Sequence, residues 1–122
     1  MSLRTALRQV IASADTVAAG EERVEAAKWT GCRAVGDLPL RERGKAAGVL
    51  RSVVLRPRQG VPSVEAELYD GSGSLDLVWL GRRTIAGIEP GRRIRVDGMV
   101  CEAEGRRTMY NPRYELKPRA GE

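Results

Sequence analysis

The chain has 122 residues, of which 42% are hydrophobic and 30% charged, a balance that fits one globular domain and is too apolar for a wholly disordered polypeptide. No apolar stretch approaches the ~18 residues of a membrane span. Histidine is absent, which removes Ser-His-Asp and Cys-His triads and His-ligated metal sites together.

Cys32 and Cys101 are the only cysteines, too few for a four-cysteine zinc site or a disulfide framework. They read as free thiols of a reducing, cytoplasmic protein. The net charge of +5 is carried almost entirely by arginine, since Lys28, Lys45 and Lys117 are the only lysines. A basic domain points to an anionic partner, although solvated surface charge gives the same balance.

Leu3, Leu7, Val10, Ile11, Ala14, Val17 and Ala18 recur at helical spacing and predict an amphipathic helix ended by Gly20. Ala12-Ser13-Ala14 mimics a signal-peptidase site, but the apolar run before it is too short and Arg8 interrupts it, so the helix is read as retained. A second, shorter helix is expected from Glu21 to Trp29, with its acidic pair at the N-terminus. Gly31 to Gly44 reads as a linker rich in turn residues.

From Lys45 the apolar period changes to two. Strand one is expected over Val49–Leu55, strand two over Val64–Tyr69 and strand three over Ser74–Leu80. Asp70-Gly71-Ser72-Gly73 supplies a hairpin signal between the last two. Gly81–Glu89 is expected to form one or two helical turns, and Pro90-Gly91 a tight turn. Strand four covers Arg92–Val100, with Gly98 as an in-strand bend. Strand five covers Arg107–Tyr110 and continues past Pro112 toward Leu116. Five strands with a helical insert between the third and fourth follow the order of an OB-fold barrel.

Three phrases strengthen that reading: Ala47-Gly48-Val49-Leu50-Arg51, Ala66 through Leu75 with its Asp-Gly-Ser-Gly, and Glu89-Pro90-Gly91 through Val100. They resemble the OB-fold nucleic-acid-binding superfamily. Met109-Tyr110-Asn111-Pro112-Arg113-Tyr114-Glu115 is similar to the last strand of the wedge domain of RecG helicase, and the whole resembles small stand-alone actinobacterial OB-fold proteins. The resemblance spans about residues 45–116 and implies an all-β, five-stranded OB-fold barrel. Residues 1–44 become an N-terminal helical extension and linker, and 117–122 a tail. No Walker A motif is present, because Gly44-Lys45 is followed by Ala46 and Pro39 stands where the leading glycine belongs.

The implied function is non-catalytic binding of single-stranded or structured DNA or RNA, with low sequence specificity and without metal or cofactor. Its expected site comprises Arg51, Arg56, Arg58, Arg82, Arg83, Arg106, Arg107 and Arg113 for phosphates, with Tyr69 and Tyr110 for stacking. Strand parity opposes this by placing Glu65, Glu67 and Asp76 on the outer face, where cross-strand pairing with Arg51 or Arg95 would leave the face nearly neutral. Trp79 shares parity with Leu75 and Leu77 and is assigned to the core.

Apolar residues on both parities, such as Val78 beside Leu77 and Met99 beside Val100, predict that something covers part of the outside. The alternative function is therefore a protein-interaction or homo-oligomerisation adaptor docking through the N-terminal helix, with no membrane partner. Catalysis has no support: carboxylates are scattered singly, Ser72 and Ser74 lack a base, and Cys101 beside Glu102 is not activated.

Overall fold

The computed structural model describes residue 20 and residues 31–118. The helices expected over 1–18 and 21–29 lie outside the described residues. The elements are a 3-10 turn at Val35–Asp37 and seven strands: β1 (Arg43–Arg58), β2 (Val61–Tyr69), β3 (Ser74–Leu80), β4 (Arg93–Met99), β5 (Cys101–Ala103), β6 (Arg106–Tyr110) and β7 (Arg113–Leu116). They form one sheet in the order β5-β6-β3-β2-β1-β4-β7. Every neighbouring pair is antiparallel except β3 and β6, which run parallel.

β1 is long because it serves two neighbours. Its first half pairs with β4, from Arg43 opposite Met99 to Val49 opposite Arg93. Its second half pairs with β2, with a register irregularity between Leu50 and Ser52 where the strand bends. Ala46, Ala47 and Gly48 are buried at the crossing, where small residues let the sheet curl tightly. These residues have low strand propensity, which is why alternation alone starts the strand too late.

The concave, apolar side of the sheet holds one core built from Leu50, Val64, Leu68, Leu77, Ile94, Val96 and Met109, among others. Val35 and Leu38 are buried against it, so the stretch expected as a linker packs as part of the body. Arg33 N–H donates to the Lys45 carbonyl (2.9 Å) and Arg41 N–H to the Val100 carbonyl (2.7 Å), fixing this stretch at both ends. Gly81–Glu89 forms turns and no helix. Within it Ile88 N–H donates to the Ile85 carbonyl (3.1 Å), and both isoleucines plug the core.

The expected five-stranded OB-fold barrel is therefore corrected to an open, mixed half-barrel of seven strands, with β5 and β7 as its two edges. Two local events produce the extra strands. Strand four breaks at Val100, whose N–H turns away to the Glu42 carbonyl (2.9 Å), and resumes as β5 beside β6. The last strand breaks at Pro112, which has no N–H to give a ladder, next to Asn111 with φ of 51°. β6 then pairs with β3 and β5, whereas β7 pairs with β4.

The resemblance to the OB-fold superfamily and to the RecG wedge domain falls with that correction. So does the fold-based ground for nucleic-acid binding, or for an adaptor on an OB barrel. The described elements contain no α-helix through which a homo-oligomer or protein partner would dock. None of the described helices is long and apolar enough to cross a membrane.

Candidate functional site

A cleft of about 460 Å³ opens on the outside of the sheet. Ser52, Val54, Val78 and Thr108 belong to its floor. The β1–β2 ribbon with Arg56 and Arg58 forms one wall, and the β5–β6 turn with Glu104 and Arg106 the other. Register dictates what faces into it. Glu67, Asp76 and Thr108 stand side by side across β2, β3 and β6, as do Glu65, Val78 and Tyr110.

Adjacent carboxylates on neighbouring strands repel unless a cation bridges them. Arg106 does so: its Nε lies 2.7 Å from Asp76 Oδ2 and its Nη2 3.3 Å from Glu67 Oε2. On the far side Arg51 Nη1 reaches Glu67 Oε1 at 3.8 Å. Arg58 grips Glu65 with two bonds, Nη2 to Oε1 at 2.8 Å and Nε to Oε2 at 3.2 Å, the forked geometry that makes guanidinium–carboxylate pairs strong. Hydrogen bonding from Arg58 holds the Glu65 carboxyl below the ordinary glutamate range; burial opposes this and the Arg58 charge adds to it. The same contacts raise the already high pKa of Arg58 and Arg106.

Because the folded Glu65 pKa is depressed, its contribution to stability is complete above the unfolded glutamate pKa of about 4.3 and fades as pH falls through the folded value. Glu65→Gln is expected to cost about 1 kcal/mol at neutral pH, a figure discounted for the half-exposed Arg58. Urea titrations at pH 7 and pH 3 check this: the gap between wild type and variant should narrow at the lower pH.

The expected site residues are dispersed. Arg56, Arg58 and Arg106 line the cleft, and Arg51 lies beside it with its guanidinium 3.4 Å from the centre of the Tyr69 ring. That ring face is thus occupied. Tyr110 is at the cleft end, 6.0 Å from Arg58. Arg107 is turned away: its Nε donates to the Leu38 carbonyl and its Nη2 to the Gly36 carbonyl, both at 3.1 Å. Arg113 is on β7, opposite Asp97. Arg82 and Arg83 are exposed beyond the end of β3. Trp79 is in the core, its indole N–H donating to the Pro112 carbonyl (3.1 Å) and its ring meeting Tyr114 edge-on.

The sequence assigns no binding role to Ser52, Val54, Thr108 or Glu104, whose place in the cleft follows from pairing of distant strands. Arg95 turns to Glu115 (3.8 Å) and takes no part.

Three arginines face four carboxylates in the lining. The cleft is therefore no track for a phosphate backbone, although the chain as a whole is basic. Among the described residues, Arg56 and Glu104 alone of these charged groups form no ion pair, and they stand on opposite walls. No protein-family model matches the chain, and no curated protein matches it.

Proposed function

We propose that this chain is a non-catalytic binding module of the cytoplasm whose working surface is the cleft between the two hairpins, and whose guest is a small solute carrying both a cationic and an anionic group. The observation that carries the reading is the charge arrangement. The inner carboxylates Glu65, Glu67 and Asp76 are held by Arg58, Arg106 and the neighbouring Arg51, leaving a guanidinium, Arg56, and a carboxylate, Glu104, outside any ion pair on opposite walls. A dipolar guest answers both; a polyanion answers one and meets four carboxylates. The cleft volume of about 460 Å³ falls within the usual range for small-molecule sites. The free thiols of Cys32 and Cys101 support a reducing compartment.

Amide-shift NMR with a zwitterionic tripeptide, its N-acetylated form and its C-amidated form tests the proposal. The free peptide should move the amides of residues 52–56, Arg58 and 103–108 and be recovered unchanged. Each blocked form, and each of Arg56→Ala and Glu104→Ala, should bind about fivefold more weakly, the equivalent of roughly one exposed charge-assisted contact. Equal binding of all three peptides, or none, overturns it.

A further inference from the structure

The free end of the β1–β2 ribbon carries features that the cleft does not use. Residues 56–61 are all exposed. The chain reverses at Gln59 and Gly60, both in the left-handed region with φ of 50° and 81°, as a two-residue hairpin turn requires. Beside the turn, Leu55 is 56% exposed, Val61 45% and Leu80 42%.

Register gathers these three at one end of the sheet. Leu55 faces Val64, Val61 faces Arg58 and Leu80 faces Ser63, and the Gly81 N–H ties the end of β3 to the Pro62 carbonyl (2.8 Å). By alternation Leu55 belongs to the inner parity, with Val64, whereas Val61 and Leu80 belong to the outer parity, with Ser63. One flat partner covers one face of a ribbon. Apolar groups on both faces suit burial of the tip end-on.

Charge at this end is of one sign. Arg82 and Arg83 follow Leu80 after Gly81, are exposed, and form no ion pair among the described residues. Segments 56–64 and 80–88 contain no acidic residue, and the nearby Glu65 is held by Arg58. Aliphatic tips ringed by unpaired arginines match a surface that is anionic outside and apolar just beneath. A nucleic-acid strand offers the phosphates but no apolar phase, and leucine and valine give bases no ring to stack on.

We propose that this tip docks on an anionic lipid bilayer, with Arg82 and Arg83 at the headgroup phosphates and Leu55, Val61 and Leu80 entering the acyl boundary. The surface is separate from the cleft reading and stands or falls without it.

Co-sedimentation of the full chain with phosphatidylcholine vesicles, and with mixed phosphatidylcholine–phosphatidylglycerol vesicles, tests the assignment. Binding is expected only to the mixed vesicles and should weaken with salt. Joint Arg82→Ala and Arg83→Ala replacement should weaken it roughly 20-fold, from the usual contribution of each juxtamembrane arginine. Joint Leu55→Ser and Leu80→Ser replacement should weaken it at least tenfold, as expected from loss of two buried aliphatic groups. All these residues are exposed, and circular dichroism checks that each variant keeps its fold. Undiminished binding of the serine variant reduces the contact to charge alone and overturns the proposal. So does equal binding to pure phosphatidylcholine, or binding to a single-stranded oligonucleotide without binding to vesicles.

Discussion

Replacing Asp70 with Ala should destabilise the fold by about 3 kcal/mol, a large share of what a domain this size possesses. Asp70 is buried at the β2–β3 turn. One oxygen, Oδ1, accepts from the Ser72 N–H (2.9 Å), the Ser72 hydroxyl (2.7 Å) and the Gly73 N–H (3.2 Å). The other, Oδ2, accepts from the Val35 N–H at 2.8 Å, 35 residues away. The carboxylate thus builds the turn and pins the 3-10 segment, with Ser72 Oγ accepting from the Gly36 N–H alongside (3.0 Å).

Ala leaves the buried Val35 N–H without a partner, and an orphaned buried donor costs more than an average hydrogen bond is worth. Asn is not a rescue. Either orientation of its amide points an NH2 at N–H donors, so Asp70→Asn should fall within about 1 kcal/mol of the alanine variant. Urea denaturation gives both values, and hydrogen exchange at Val35 should accelerate in both. Asn behaving as wild type would show that one oxygen suffices and that the pin to Val35 is dispensable.

Asp70 also marks where legibility in the sequence ends. Asp-Gly-Ser-Gly announces the turn, and the structure has it between β2 and β3. Nothing local announces Val35 as the partner. The same division runs through the site. Period-two alternation sets β3 at Ser74–Leu80 and turns Glu65, Glu67 and Asp76 outward, because parity is a property of one strand at a time. What those carboxylates meet depends on which strands become neighbours. Arg106 bridges Asp76 and Glu67 across 30 and 39 residues of chain, and it does so because β6 lies parallel to β3. A list of arginines contains no such information, so a chain of net positive charge looked suited to phosphates where its cleft is slightly acidic.

The same limit explains the strand count. Val100 and Pro112 redirect the chain through backbone events: alternation ends strand four at Val100 without showing that Cys101–Ala103 forms a strand of its own, and it reads as continuous across Pro112. Arg107 shows the matter in one side chain: beside Arg106 in sequence, it faces the opposite way and holds the Gly36 and Leu38 carbonyls.

Gly48→Ala should be as damaging as the loss of Asp70, for a steric reason. Gly48 sits where β1 passes from β4 to β2, opposite Ile94. A Cβ there would stand 2.4 Å from the Tyr69 carbonyl oxygen and 2.9 Å from both the Tyr69 carbonyl carbon and Leu68 Cδ2. Two of these three atoms are backbone, so no rotamer relieves the overlap. The strands must separate, opening the β1–β2 ladder at the point where Leu50 and Leu68 pair in the core. Overpacking of a rigid site costs up to about 3 kcal/mol, and more where backbone must move.

Gly60→Ala separates this cause from the other reason for a glycine. Gly60 has φ of 81° but nothing within 4 Å of the added carbon, so only the left-handed backbone penalty of about 1–2 kcal/mol applies. Thermal or urea unfolding of the two variants should therefore rank Gly48→Ala well below Gly60→Ala. Equal losses would mean that the sheet relaxes at its crossing, and that the close approach of β1 to the end of β2 does not fix the curl from which the outer cleft takes its shape.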